Sequence, residues 1–123
     1  MSVDLTHYFG IGLQIPVDFD KYDEIIDKYP QYSNFNFIRK TTDTKSNIRL
    51  IEDGMNGDYT YLLYLLKETE QEEMYSNESL GILYVDNIEM TNALDELQEV
   101  YPLFMDEELQ TKNVKIISLF HCS

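Results

Sequence analysis

The sequence lacks several features that would place the protein outside the cell or in a membrane. Its one cysteine, Cys122, excludes an internal disulfide and is typical of a reducing compartment. The longest purely apolar run, Tyr61 to Leu66, is far shorter than the roughly 20 residues that span a bilayer. The first ten residues lack the basic start and long apolar stretch of a secretory signal. We therefore expect a cytoplasmic protein that does not contact membranes.

Basic residues are also scarce. Nine lysines and arginines face 23 acidic residues, and the net charge is −14. Residues 68–111 contain thirteen acidic residues and no basic one, whereas residues 38–49 contain four basic residues and one acidic residue. A field of this sign repels nucleic acids and lipid headgroups and attracts basic protein surfaces. Because 43% of the residues are hydrophobic, we expect one folded domain over residues 1–123 despite the charge.

Known catalytic and metal-binding motifs are missing as well. The sequence has no glycine-rich lysine loop, no nucleophile elbow and no HExxH motif. His7, His121 and Cys122 could meet only if the first and last strands pair, and they lack the paired spacing of zinc ligands. Carboxylates are too numerous to single out a general acid. We predict no catalytic, cofactor or metal site, and a protein that is not an enzyme.

One octet occurs nearly twice in the chain. DEIIDKYP, at Asp23–Pro30, and DELQEVYP, at Asp95–Pro102, have four identical positions. Each octet closes a stretch with helical spacing of apolar residues, and each proline is predicted to end its helix. Asp18 is the predicted N-cap of the first helix, and Asp86 with Glu89 resembles a capping box at the second.

Strand patterns surround the two predicted helices. They fall at residues 7–15, 35–42, on both sides of the Gly54–Gly57 loop, at 81–85 and at 114–120. This order predicts an α+β fold in which an antiparallel sheet of about five strands carries two helices on one face, a ferredoxin-like plait or a close variant. The predicted shared core consists of Phe9, Ile11, Leu13, Ile15, Phe19, Tyr22, Ile26, Tyr29, Leu94, Leu97 and Tyr101.

The predicted strand at residues 59–66 is apolar on both sides, although only one face of such a sheet needs to contact helices. A loop of the same chain or a second molecule could cover the other face, or the strand could simply be central and buried. We predict a homodimer that forms through Tyr59, Tyr61, Leu63 and Leu65.

Acidic residues crowd around two apolar side chains in the segment KETEQEEMYSNES. Such an array can attract a basic protein, although acidic residues often serve only to keep a small domain soluble. The predicted partner-binding residues are Glu68, Glu70, Glu72, Glu73, Met74, Tyr75 and Glu78, together with Asp95, Glu96 and Glu99 on the second helix.

These features favour a small acidic binding protein that blocks a basic partner, such as a nuclease, another nucleic-acid-binding enzyme or a toxin. In size and charge the chain resembles phage-encoded inhibitors and toxin immunity proteins, a resemblance that assigns no role to any residue. One alternative is a dimeric plait that binds a small ligand on its sheet face through Tyr8, Gln14, Arg39 and Arg49. A structural subunit of an assembly and a weak carboxylate-based enzyme are further alternatives.

Overall fold

The described part of the chain forms four strands and two helices. The computed structural model describes residues 5–35, 46–53, 59–70 and 85–122. In chain order the elements are β1 (Leu5–Gln14), α1 (Phe19–Lys28), β2 (Ile48–Glu52), β3 (Thr60–Glu70), α2 (Asn87–Met105) and β4 (Lys115–Cys122). Short 3₁₀ turns at Pro30–Tyr32 and Thr111–Asn113 follow α1 and precede β4.

The strands form one sheet in the order β2-β3-β1-β4, and every neighbouring pair is antiparallel. The predicted α+β class with an antiparallel sheet and two helices is therefore confirmed. The prediction of about five strands is not confirmed, because the sheet in the described ranges has four. The candidate strands at 35–42 and 81–85 lie almost entirely outside those ranges.

The first helix begins and ends as its sequence predicts. The Asp18 side chain accepts a hydrogen bond of 2.8 Å from the Lys21 N–H, which satisfies one of the donors that a helix start leaves free. Tyr29 is the C-cap, and Pro30 begins the following turn. Phe19, however, is 45% exposed, so its predicted place in the core is wrong. Val17 packs against the core at this end of the helix instead.

The second helix has the predicted start but a different end. Asp86 and Glu89 form a reciprocal capping box. The prediction that Pro102 stops the helix is wrong, because α2 continues to Met105 and ends at Asp106, whose N–H donates to the Pro102 carbonyl. The extra turn buries Phe104, which compensates for the hydrogen bond that proline cannot make. Of the described helices, neither has the length and apolarity to cross a bilayer.

The main core lies between the sheet and both helices. Paired strand residues such as Ile11 with Tyr64, and Leu13 with Leu62, share the face on which Ile25 of α1 also packs. The buried members of this core are Ile11, Leu13, Ile15, Tyr22, Ile25, Ile26, Ile48, Leu50, Leu62, Tyr64, Ala93, Leu97, Val100, Tyr101 and Phe104. Most of the predicted core is thus confirmed, and both helices lie on one face.

Three predicted core residues are less buried than predicted or lie outside the main core. Tyr29 is partly buried and packs against the main core. Leu94 is only half-buried, and Phe9 is buried but stands outside the main cluster. A helix stripe read at fixed spacing therefore identifies the inward side of α2 but not the depth of each residue.

The opposite face of the sheet carries a second core of its own. Tyr8, Ile51 and Leu63 are buried there, and Tyr61, Leu65, Ile117 and Leu119 pack around them. Neither described helix packs on this face, and the sheet curls toward it. The Nε2–H of His121 on β4 donates a hydrogen bond of 2.7 Å to the carbonyl of Glu52 on β2, although these strands are opposite edges of the sheet.

Two glycines of β1 make this curl sterically possible. A Cβ at Gly12 would lie 1.9 Å from the carbonyl oxygen of Leu62, and one at Gly10 would lie 2.5 Å from that of Tyr64. The β1 and β3 backbones thus approach each other more closely than any side chain would allow, and a register shift between Phe9 and Gly10 adjoins this point. We interpret the sequence GIG as the place where the sheet bends.

Candidate partner-binding surface

The helical side of the molecule carries most of its negative charge. The stretch 18–28, which is α1 with its cap, has five acidic residues and two lysines, and the stretch 86–108 has eight acidic residues and no basic one. Because both helices cover the same face of the sheet, these groups share one side of the molecule. We call the following set the acidic helical layer: Asp18, Asp20, Asp23, Glu24, Asp27, Asp86, Glu89, Asp95, Glu96, Glu99, Asp106, Glu107 and Glu108.

Helical periodicity explains why these carboxylates point outward. Ile25 and Leu97 are buried against the sheet, so Asp27 and Glu99, each two positions further along, fall on the exposed side. The two residues occupy the same position of the repeated octet. The repeat therefore gives each helix the same pattern of apolar residues facing inward and carboxylates facing outward.

The two lysines of α1 leave this layer negative. Lys21 approaches Glu24 at 3.7 Å, and both side chains are exposed. Lys28 lies 5.5 Å from the centre of the Tyr29 ring. A surface ion pair of this kind contributes little energy and is screened by salt, so the surrounding carboxylates remain available to a partner.

A groove runs between α1 and the end of α2 within this layer. It has a volume of about 620 Å³, and it is lined by three carboxylates, two lysines and an apolar side chain: Glu24, Asp27, Asp106, Lys21, Lys28 and Leu103. Leu103 is 47% exposed and supplies an apolar contact on the groove wall. The groove thus combines carboxylates with an apolar contact, the combination that protein interfaces use at their rim and centre.

The three predicted partner-binding residues of α2 all belong to the acidic helical layer. Asp95 and Glu99 are exposed. Glu96 is half-buried and accepts a hydrogen bond of 3.0 Å from the Ser46 hydroxyl. Burial raises the pKa of Tyr32, and the nearby Glu96 and Glu99 carboxylates raise it further. The α2 carboxylates therefore adjoin the turn that follows α1.

The acidic residues of β3 lie elsewhere. Glu68 pairs with Tyr8 and Glu70 pairs with Thr6, so both belong to the face of the second core, opposite the helices. The described residues thus do not join Glu68 and Glu70 to α2 in one patch. The remaining predicted residues, Glu72, Glu73, Met74, Tyr75 and Glu78, fall within residues 71–84, outside the described ranges.

The four residues predicted to form a dimer face lie together on the side of the second core, where Leu63 is buried and Tyr59, Tyr61 and Leu65 stay partly exposed. Leu63 is fully buried in the second core, and Tyr61 and Leu65 pack around it. Tyr59 contacts the rings of Tyr61 at 5.5 Å and His121 at 6.4 Å. The apolar pattern on both sides of β3 therefore has an explanation within one molecule.

The histidines do not form a metal site within the described ranges. β1 and β4 do pair, but His7 stands opposite Phe120 and His121 stands opposite Thr6, so the two rings project from opposite faces. No group of three His, Cys, Asp or Glu side chains there can hold a metal ion. His7 Nε2 lies 2.7 Å from the Ser118 hydroxyl, and burial, together with Lys67, lowers the His7 pKa.

The residues suggested for a small ligand are not gathered into one site. Tyr8 is buried in the second core, and the Arg49 guanidinium donates to the carbonyls of Ser46 and Ile48, each at 2.8 Å. Gln14 lines a separate cleft of about 460 Å³ with Lys115 and other residues at the sheet end. Arg39 lies outside the described ranges.

One buried carboxyl group escaped the sequence analysis. Glu52 is 6% exposed, and its Oε2 atom has no hydrogen-bond partner among the described residues. Burial raises its pKa, and the nearby carboxylates of Asp53 and Asp23 raise it further. Its position was visible in the sequence, because Glu52 follows Ile48 and Leu50 in the inward alternation of β2. Glu52 lines neither the groove nor the cleft, so it has no access to a ligand in either.

Comparison with known proteins adds no assignment. No protein-family model, no curated protein and no solved structure matches the chain significantly. The acidic helical layer and the groove within it are therefore the features that point to a function.

Proposed function

We propose that the protein binds the basic surface of another protein through the acidic helical layer and blocks that partner. The observation that carries this proposal is the concentration of thirteen acidic residues against two lysines on two helices that share one face. Electrostatic attraction would speed the encounter, and the exposed Leu103 in the groove would contribute apolar contact once the partner is bound. The partner would be a nuclease, another nucleic-acid-binding enzyme or a toxin, whose own basic site the carboxylates would occupy.

The same proposal includes a fold and a place of action. The element order β-α-β-β-α-β and the antiparallel strand order support a ferredoxin-like plait. We place the encounter in the cytoplasm because the single cysteine suits a reducing compartment. The proposed activity is binding alone and requires no catalytic group.

The carboxylates at the end of β3 form a second candidate contact. Glu68 and Glu70 lead into residues 71–84, where Glu72, Glu73 and Glu78 accompany Met74 and Tyr75. A partner large enough to reach both sides of the sheet could contact this segment as well. Because Glu68 and Glu70 lie on the opposite face from α2, mutations can separate the two contributions.

The experiment is an affinity capture from lysate at low and high salt. The wild-type chain should retain a basic protein at low salt and release it at high salt. The test variant carries Asp27→Lys, Asp95→Lys and Glu99→Lys, three exposed positions of the acidic helical layer. The matched variant carries Glu70→Lys, Glu72→Lys and Glu73→Lys, which changes the net charge by the same amount.

We expect the helical variant to lose the captured protein and the matched variant to keep it. The helical variant should keep the wild-type thermal stability, because Asp27, Asp95 and Glu99 are exposed and exposed charges contribute little to folding. The thermal stability of the matched variant is measured alongside it. Loss in the matched variant alone would transfer the binding role to the end of β3. Capture of a neutral or acidic protein, equally by all three chains, would contradict the proposal.

A further inference from the structure

Among the described strands, β4 forms one edge of the sheet. It pairs with β1 on one side, and no described strand pairs with it on the other. Ile116 and Phe120 are each 55% exposed, and Ser118 between them is exposed as well. An edge strand presents a row of free backbone donors and acceptors, and proteins usually protect such an edge with charges, proline or a covering element. β4 has a charged residue only at its first position, Lys115, and it has no proline.

The charge distribution makes this edge the place where two copies can meet. Residues 109–123 contain two lysines and no acidic residue, whereas the rest of the chain has a net charge of −16. Two copies that approach through their helical layers would repel each other strongly. Because β4 has no acidic residue, two copies that meet through β4 bring no carboxylates of these strands together.

The sequence of β4 is also complementary to itself. In an antiparallel pair centred on Ser118, Ile116 of one copy stands opposite Phe120 of the other, and the reverse pair follows by symmetry. Ile117 and Leu119 match in the same way on the other face. Apolar cross-strand pairs of this kind stabilise antiparallel strands, and a twofold axis makes each pair occur twice.

We infer that the protein forms a twofold homodimer in which two β4 strands pair antiparallel about Ser118. A second copy of the chain, rather than a peptide of another protein, pairs with this edge because β4 matches itself in one antiparallel register. The edge also lacks the acidic residues that would make two copies repel each other. This interface differs from the face of Tyr59, Tyr61, Leu63 and Leu65 that the sequence predicts, where Leu63 is already buried within one molecule.

The pairing would join two four-stranded sheets into one continuous sheet. Ile116 pairs with Ile11, whose side chain is in the main core, so the exposed side of Ile116 is the side of the helices. Its proposed neighbour Phe120 of the other copy lies on the same side. The helices of both copies therefore stand on one face, and the dimer presents two acidic helical layers in the same direction.

Sedimentation velocity over a concentration series tests this inference on the full chain. We expect a dimer whose dissociation constant falls as salt is raised, because salt screens the repulsion between two acidic molecules. The variant Ile116→Lys/Phe120→Lys puts like charges at both symmetric pairs and should weaken dimerisation by at least about tenfold. The variant Ile116→Lys/Phe120→Glu puts opposite charges at the same pairs and should dimerise more tightly than the double-lysine variant.

A control replaces another exposed apolar residue. Ile88 is 71% exposed on α2, far along the chain from β4, and Ile88→Lys should leave the dissociation constant within about twofold of the wild-type value. Circular dichroism should show that all variants stay folded. A monomer at every concentration would overturn the inference, and so would a dimer that the double-lysine variant leaves unchanged. Equal weakening by the two double variants would overturn the register about Ser118.

Discussion

The two faces of the sheet are buried in different ways. One face packs against α1 and α2, whose outward sides carry the acidic helical layer. Neither described helix packs on the other face, where the sheet curls so that His121 of β4 reaches the carbonyl of Glu52 on β2. The comparison shows that an apolar strand such as β3 can be buried on both sides without a second molecule. It also separates the side that is available to a partner from the side that serves folding.

Replacing Leu97 and Leu63 by alanine compares the two cores directly. Both side chains are fully buried: Leu97 projects from α2 into the main core, and Leu63 lies in the second core. We expect Leu97→Ala to lower the free energy of unfolding by about 2–5 kcal/mol, and Leu63→Ala by about 2 kcal/mol. The smaller loss reflects the partly exposed neighbours of Leu63, which can settle into the cavity. Urea denaturation measures both values, and a larger loss for Leu63→Ala would reverse the assigned importance of the two cores.

The hydrogen bond that closes the second core can be removed at His121. His121→Phe keeps a ring near Tyr8 and Tyr59 but leaves the Glu52 carbonyl without this donor. We expect a loss of about 1–2 kcal/mol in the free energy of unfolding, together with increased binding of a hydrophobic dye. Phe19→Leu, which changes an exposed ring on α1, is the control and should change stability by less than about 0.5 kcal/mol. Unchanged dye binding and stability in His121→Phe would show that the curl does not need this bond.

The buried carboxyl of Glu52 predicts a stability that depends on pH. Its raised pKa means that the folded state favours the protonated form, whereas the same carboxyl in the unfolded chain ionises at about pH 4.3. The contribution of the Glu52 carboxyl to stability is therefore fully present below that pH. It is lost as the pH rises through the raised pKa of the folded protein. Glu52→Gln removes this penalty, so it should be more stable than the wild type at neutral pH and equal to it in acid.

The measurement is the free energy of unfolding of both chains from acid to neutral pH. Glu99→Gln, on the exposed side of α2, is the matched control and should differ from the wild type by less than about 0.5 kcal/mol at each pH. A Glu52→Gln chain that is less stable than the wild type at neutral pH would show that the ionised carboxylate is bound by a favourable partner.

Local patterns in the sequence predicted the helices and the strand alternation well. Asp18 and the Asp86 capping box mark the helix starts because capping depends on residues within one turn. The end of α2 was missed, because the burial of Phe104 against Tyr29 and Tyr32 outweighs the local effect of proline.

The candidate surface was predictable only in part. The exposed Asp95 and Glu99 follow from helical periodicity, and their place beside α1 follows from both helices sharing one face. The curl of the sheet was not predictable from alternation, because it depends on how closely β3 approaches Gly10 and Gly12. For the same reason the sequence could not show that Glu68 lies on the opposite side from α2.

The most direct test of the account is the association rate of the captured basic partner over a series of salt concentrations. We predict that the rate for the wild-type chain falls steeply as salt rises. The variant Asp27→Lys/Asp95→Lys/Glu99→Lys should associate at least about tenfold more slowly at low salt and show a flatter salt dependence. The variant Glu70→Lys/Glu72→Lys/Glu73→Lys, with the same net charge, should keep the wild-type slope. A helical variant with the wild-type rate and slope would contradict the claim that the acidic helical layer captures the partner.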